Sequence, residues 1–172
     1  MNQYLDVDKA IESILFIANR TNDLFHIVKI LYYADKFHLE NYGRQITGDY
    51  YRAMDEGPVP SGAYDLLKRA RGDKQTYEAR IVNANPERSF QVRNKDEVIP
   101  LRKPNLDYLS ESDVECLNEA IKLYAKMDLP ELWKIVHEEE AYKSTPHNGQ
   151  MKLKDIILSL PTGSEVLEYL DS

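Results

Sequence analysis

The sequence predicts a mainly helical α+β fold. Three observations carry that prediction. Apolar residues recur at helical spacing towards both ends of the chain, short runs of β-branched and aromatic residues occupy the middle, and Pro, Gly and Asn turns separate these segments. The expected architecture is a small antiparallel β-sheet inserted between N-terminal and C-terminal helices. A length of 172 residues with 42% hydrophobic content supports one sizeable core, so residues 1–172 are expected to form a single domain.

Val7, Ile11, Ile14, Leu15 and Ala18 form one apolar stripe and predict a first helix. Thr21 or Asn22 is expected to cap a second helix, striped by Leu24, Ile27, Val28, Leu31 and Ala34, followed by Asp35 and His38 and closed by Gly43. Residues 46–54, rich in aromatic and β-branched types, read as a short strand. Asp55-Glu56-Gly57-Pro58-Val59-Pro60 reads as a rigid turn, because each proline fixes its own φ and restricts the residue before it. Ser61 is placed to cap a third helix ending at Gly72.

Residues 77–82 and 89–92 read as a hairpin joined by Asn83-Ala84-Asn85-Pro86, with residues 98–101 as a further strand that Pro100 places at an edge. Ser110-Glu111-Ser112-Asp113 is a capping sequence for a helix presenting Val114, Leu117, Ile121 and Tyr124. Asp128 can open the next helix, in which Leu132, Trp133, Ile135 and Val136 surround His137. A loop at residues 144–149 precedes two helical pieces, 153–160 and 164–170, split by Pro161-Thr162-Gly163.

Composition excludes several classes of function. The formal net charge of −7 repels a phosphate backbone, and the basic residues Lys68, Arg69, Arg71 and Lys74 read as a solvated helix end complementing the helix dipole. No direct nucleic-acid binding is expected. No apolar run is long enough to cross a bilayer, and Met1 to Asp6 lacks the pattern of an export signal, so a cytoplasmic location is expected. The single cysteine, Cys116, supports neither a disulfide framework nor a cysteine-based zinc site and reads as a small buried hydrophobe.

One stretch carries a longer pattern. Lys29-Ile30-Leu31-Tyr32-Tyr33-Ala34-Asp35-Lys36-Phe37-His38-Leu39-Glu40 continues through Tyr42-Gly43-Arg44, Ile46-Thr47-Gly48-Asp49 and Ala53-Met54. Gly57-Pro58-Val59-Pro60-Ser61 and Tyr64-Asp65-Leu66-Leu67-Lys68 then follow. This pattern resembles the Panacea domain of the SocA-like antitoxin family, found in phage-associated proteins. His137 with Tyr142-Lys143 is similar to a histidine and aromatic–lysine pair in the family's later helices. The resemblance implies neutralisation of a cognate protein toxin by direct binding. Some relatives instead act as proteolytic adaptors that deliver the toxin to a cytoplasmic protease.

Against that background the tyrosine-rich zone, the proline segment and the later helix supply candidate partner-binding residues: Tyr32, Tyr50, Tyr51, Pro58, Pro60, Tyr64, Trp133 and His137. Asp35 and His38 share a helical face, and together with Thr47, Asp49 and His137 they are expected to form a buried structural polar network. A metal-dependent enzyme using Asp35, His38 and His137 is the alternative chemistry, but neither Glu-x-x-His nor His-Glu-x-x-His spacing occurs. No catalytic residue, metal or cofactor is therefore expected. The run Glu138-Glu139-Glu140 reads as a solvated helix face that could also meet a basic toxin.

Overall fold

The first helices of the chain are started by short polar side chains. The Asp6 carboxylate accepts the Lys9 N–H at 3.0 Å and caps α1 (Val7–Ala18). Asp23, and not Thr21 or Asn22, caps α2 (Leu24–Tyr42), accepting the His26 N–H at 2.9 Å. Gly43, at φ +73°, ends α2 and donates its N–H to the Leu39 carbonyl at 3.0 Å. These details come from a computed structural model, which describes residues 3–172.

The strand expected at 46–54 is confined to β1 (Tyr51–Met54). Upstream of it the backbone is committed elsewhere: the Ile46 N–H goes to the Asp35 carboxylate at 2.8 Å, and the Thr47 carbonyl accepts the Asp6 N–H at 2.8 Å. Residues 57–60 also differ from expectation. They form β2 (Gly57–Pro60), antiparallel to β1 with Tyr51 opposite Pro60 and Met54 opposite Gly57, so that only Asp55 and Glu56 make the turn. Two prolines are tolerated because each strand of a two-stranded ribbon is an edge. Gly57, at φ +101°, occupies a conformation that side-chain-bearing residues rarely adopt.

β2 leads directly into α3 (Ser61–Arg71), which Ser61 does not cap. Asp49 does so from a distance, its carboxylate accepting the Gly62 and Ala63 N–H groups, each at 2.9 Å. At the other end, Gly72 takes φ +88°, and Lys68, Arg69 and Arg71 crowd the last turn. These cations pair with Asp65, Glu87 and Asp73 respectively, so the basic cluster is locally neutralised.

The segment expected as a strand at 77–82 contains a short helix, α4 (Ala79–Asn83), in which only Ile81 is buried. Ile81 and Val82 supply β-branched character, but one inward contact per turn suits a helix, and Val82 lies outside. The hairpin of this region joins β3 (Phe90–Arg93) to β4 (Glu97–Pro100), with Phe90 opposite Pro100. Its turn uses Asn94 and Lys95 at positive φ. The β content is thus two separate two-stranded ribbons.

A capping box formed by Ser110 and Asp113 starts α5 (Glu111–Tyr124). Then follow α6 (Leu129–His137), α7 (Glu140–Lys143), α8 (Leu153–Leu158) and α9 (Gly163–Asp171). α2 is the central element: α5 packs along it most extensively, and α1, β2, α6, α8 and α9 also contact it. One continuous core runs from Leu5 to Val166, including fully buried Ile14, Leu15, Ile30, Leu66 and Leu67. Burial of each such side chain contributes roughly 1.5–3 kcal/mol. The fold is mainly helical α+β, and among the described residues no helix is long and apolar enough to cross a membrane.

Candidate functional site

Two polar regions must be separated before a site can be assigned. The first is buried and ties residues 44–49 to three helices. Asp35 on α2 accepts the Tyr51 hydroxyl at 2.6 Å and the Ile46 N–H at 2.8 Å. Burial pushes its carboxyl up to about 6, against the pull of these bonds. Asp49 is buried as well and pushed up to about 6, although the Ala63, Gly62 and Tyr50 N–H groups oppose the shift. Thr47, also buried, contributes its carbonyl to the Asp6 bond.

His38 reaches the Arg44 carbonyl through Nδ1 at 2.8 Å and the Ser112 hydroxyl through Nε2 at 2.9 Å. Burial lowers its basicity, and since a carbonyl only accepts, Nδ1 donates to Arg44, while Nε2 also lies 3.3 Å from the Asp113 carboxylate. Below it, Asp113 meets Lys9 at 2.7 Å and Arg44 at 3.0 Å. Burial alone would raise this carboxyl, but the Lys9 and Ser110 bonds outweigh it and hold it below the ordinary range.

His137 lies outside this network. Its Nδ1 is 2.6 Å from the Trp133 carbonyl and its Nε2 is 2.7 Å from the Asp55 carbonyl. Asp35 and His38 bond separate partners within the buried network and His137 lies outside it, so the three do not converge. Among the described residues no group of three or more His, Cys, Asp or Glu side chains is placed to hold a metal ion. Cys116 is buried, and burial pushes its thiol up to about 12.

The second region is a surface built around the β1–β2 turn. Trp133 on α6 is 43% exposed and stacks on His137 at 4.1 Å and on Phe25 of α2 at 6.1 Å. Tyr142 on α7 meets the His137 ring edge-on and donates its hydroxyl to the Met54 carbonyl at 2.8 Å. His137 and Tyr142 thus hold consecutive carbonyls of the turn against α6 and α7.

Beneath the turn lies Lys29, fully buried, with Nζ donating to the Pro58 carbonyl at 2.7 Å and standing 5.0 Å from the centre of the Phe25 ring. Burial lowers the ammonium to about 7, while Glu56 acts in the opposite direction. The hairpin can approach this closely because residue 57 is glycine: a Cβ there would stand 2.8 Å from Val136 Cγ2 and 3.4 Å from Lys29 Nζ.

Between α2, the turn and α3 opens a cleft of about 200 Å³, with Phe25, Val28, Lys29, Glu56, Val59 and Tyr64 among its lining residues. Half-buried Tyr64 and Tyr50 continue the surface past the cleft, Tyr64 under Lys68 at 4.8 Å and Tyr50 under Arg52 at 5.5 Å. Of the residues expected to bind a partner, Trp133, His137, Tyr64 and Tyr50 border this face. Tyr32, Tyr51, Pro58 and Pro60 are buried inside the fold and present no contact surface in this conformation.

The acidic run needs a further correction. Glu139 pairs with Lys36 at 2.8 Å, and Lys36 in turn lies 5.7 Å and 5.9 Å from the Tyr32 and Tyr33 ring centres, so Glu139 is a half-buried tether between α2 and the start of α7. Phe25, Lys29 and Glu56 were not singled out by sequence reasoning. Lys29 left a legible signal, being four residues from both Phe25 and Tyr33 and therefore on a face that helical periodicity turns inward.

The fold and this surface define a mainly helical protein with a braced, partly aromatic face and no convergence of its candidate catalytic groups. Residues 27–143 match the family described as antitoxin SocA-like, Panacea domain, and the chain belongs to that family. Its role is accordingly related to toxin–antitoxin function. No curated protein and no solved structure matches the chain.

Proposed function

We propose that this protein is an antitoxin that neutralises a cognate protein toxin by binding it directly through the face containing Trp133, Phe25, Tyr64 and Tyr50. One observation carries the choice of surface: a tryptophan 43% exposed stacks on Phe25 and on His137, and His137 in turn is hydrogen-bonded to the Trp133 carbonyl and to the Asp55 carbonyl of the adjacent hairpin. Tryptophan and tyrosine dominate binding hot spots, and a surface already rigid loses little entropy on association.

Binding is favoured over catalysis because Asp35, His38 and His137 each serve separate structural contacts. The domain in this reading is the whole chain, since α1, α8 and α9 pack on α2 although they lie outside the matched residues. The test is co-expression with the toxin encoded beside the gene. Survival together with co-purification supports the reading, whereas unrelieved toxicity at every expression ratio contradicts it.

A further inference from the structure

The cleft beside Lys29 has a charge pattern that narrows what can enter it. Its lining is mixed: Leu24, Val28 and Val59 supply apolar surface, and the exposed residues Asp55 and Glu56 bring two carboxylates to it. Asp55 meets His147 at 3.2 Å, but the Asp55 side chain is 85% exposed. Among the described residues Lys29 is the only lysine or arginine lining the cleft, and its Nζ donates to the Pro58 carbonyl. At about 200 Å³ the cleft is below the roughly 300–1,000 Å³ of cofactor-sized pockets and suits one long side chain.

We propose that this cleft receives a single basic side chain, arginine or lysine, from the protein bound at the face. The aliphatic stem lies along Leu24, Val28 and Val59, and the charged head reaches Asp55 and Glu56. This inference rests on the protein-binding reading above and adds the chemistry of the partner's anchoring residue. Amphipathic cations of this kind bury their stems and keep their heads at a polar rim, and complementary charge steers association. The Lys29 amine is already engaged by the Pro58 carbonyl at 2.7 Å, and burial disfavours its charged form. A carboxylate guest would instead meet the two carboxylates of the lining.

The probe is acetyl-Leu-Arg-Leu-amide, titrated into the intact chain while amide chemical shifts are followed, with citrulline and glutamate counterparts as controls. The arginine peptide is expected to shift Val28, Glu56 and Tyr64, to bind several-fold more tightly than the uncharged citrulline peptide, and to fall to the citrulline level in Glu56→Gln. Equal binding of arginine and citrulline, tighter binding of the glutamate peptide, or no shift at the cleft overturns the inference. Co-expression rescue reports separately on the underlying reading. A chain that rescues but ignores the arginine peptide loses only this inference, and one that binds the peptide but rescues nothing loses only the antitoxin reading.

Discussion

Lys29 Nζ on α2 donates to the Pro58 carbonyl on β2 at 2.7 Å, so that a fully buried amine anchors the hairpin on which the candidate binding face is built. The anchor has a pH signature. Burial lowers the folded-state pKa from 10.5 to about 7. A base weakened by folding contributes stability that is present above its unfolded value and is lost as pH falls through the folded one. This group therefore makes unfolding harder as pH rises from about 7 towards 10.5. Lys29→Met should flatten that slope, while loss of the bond to the Pro58 carbonyl works against any gain near neutral pH. Urea unfolding across this range checks it; an unchanged slope in the variant contradicts the assignment.

Asp49 provides a second test, because it caps a helix to which it is not adjacent in sequence. Asp49→Ala leaves the Gly62 and Ala63 N–H groups without their acceptor and should destabilise the fold by about 1–3 kcal/mol. Asp49→Asn retains one acceptor oxygen and should cost less. Equal losses in chemical denaturation would argue against the capping role.

The Lys36–Glu139 pair separates structural from binding acidity. Its side chains are only 12% and 17% exposed, so a double-mutant cycle on thermal or urea unfolding should give coupling at or above the roughly 0.2–1 kcal/mol typical of exposed pairs. Exposed Glu138, by contrast, should show negligible effect on stability when changed to Gln. A coupling near zero would remove the tether.

Tyr51 and Trp133 should behave in opposite ways. Tyr51→Phe removes the hydroxyl that bonds Asp35 in a dry site and should lower stability by about 1–3 kcal/mol without directly altering the face. Trp133→Ala should retain the fold by circular dichroism yet weaken toxin binding by about 2 kcal/mol or more, roughly thirtyfold. Calorimetric titration with the purified toxin distinguishes these outcomes.

Much of the fold was legible where local chemistry and periodicity agree. α1 has the expected bounds, Gly43 and Gly72 end their helices, and the Ser110–Asp113 box starts α5. Reading failed where a distant group sets the outcome. Asp49 replaces Ser61 as the cap of α3, and the Asp35 carboxylate and Asp6 N–H take backbone groups that a strand at 46–49 would have needed. The central hairpin was misregistered because Ile81 and Val82 have β-branched side chains but occupy a helix, leaving β3 to pair with β4. The face was half visible. Trp133 and Tyr64 are legible as candidates from residue type and, for Tyr64, from the tyrosine-rich zone around the family pattern, but whether a tyrosine points in or out depends on tertiary packing, which buries Tyr32 and Tyr51. The charge state of Lys29 likewise depends on a hairpin nearly thirty residues away, at Pro58.

The central claim is that this face binds a toxin, and the most direct measurement is rescue by surface variants that keep the fold. Trp133→Glu and Tyr64→Glu chains, verified as folded by circular dichroism, are co-expressed with the neighbouring toxin and compared with the unmodified chain for survival and co-purification. Loss of both in the variants, with both intact in the unmodified chain, is the predicted result. Full rescue and undiminished co-purification by both folded variants would contradict the account and move the toxin to another surface.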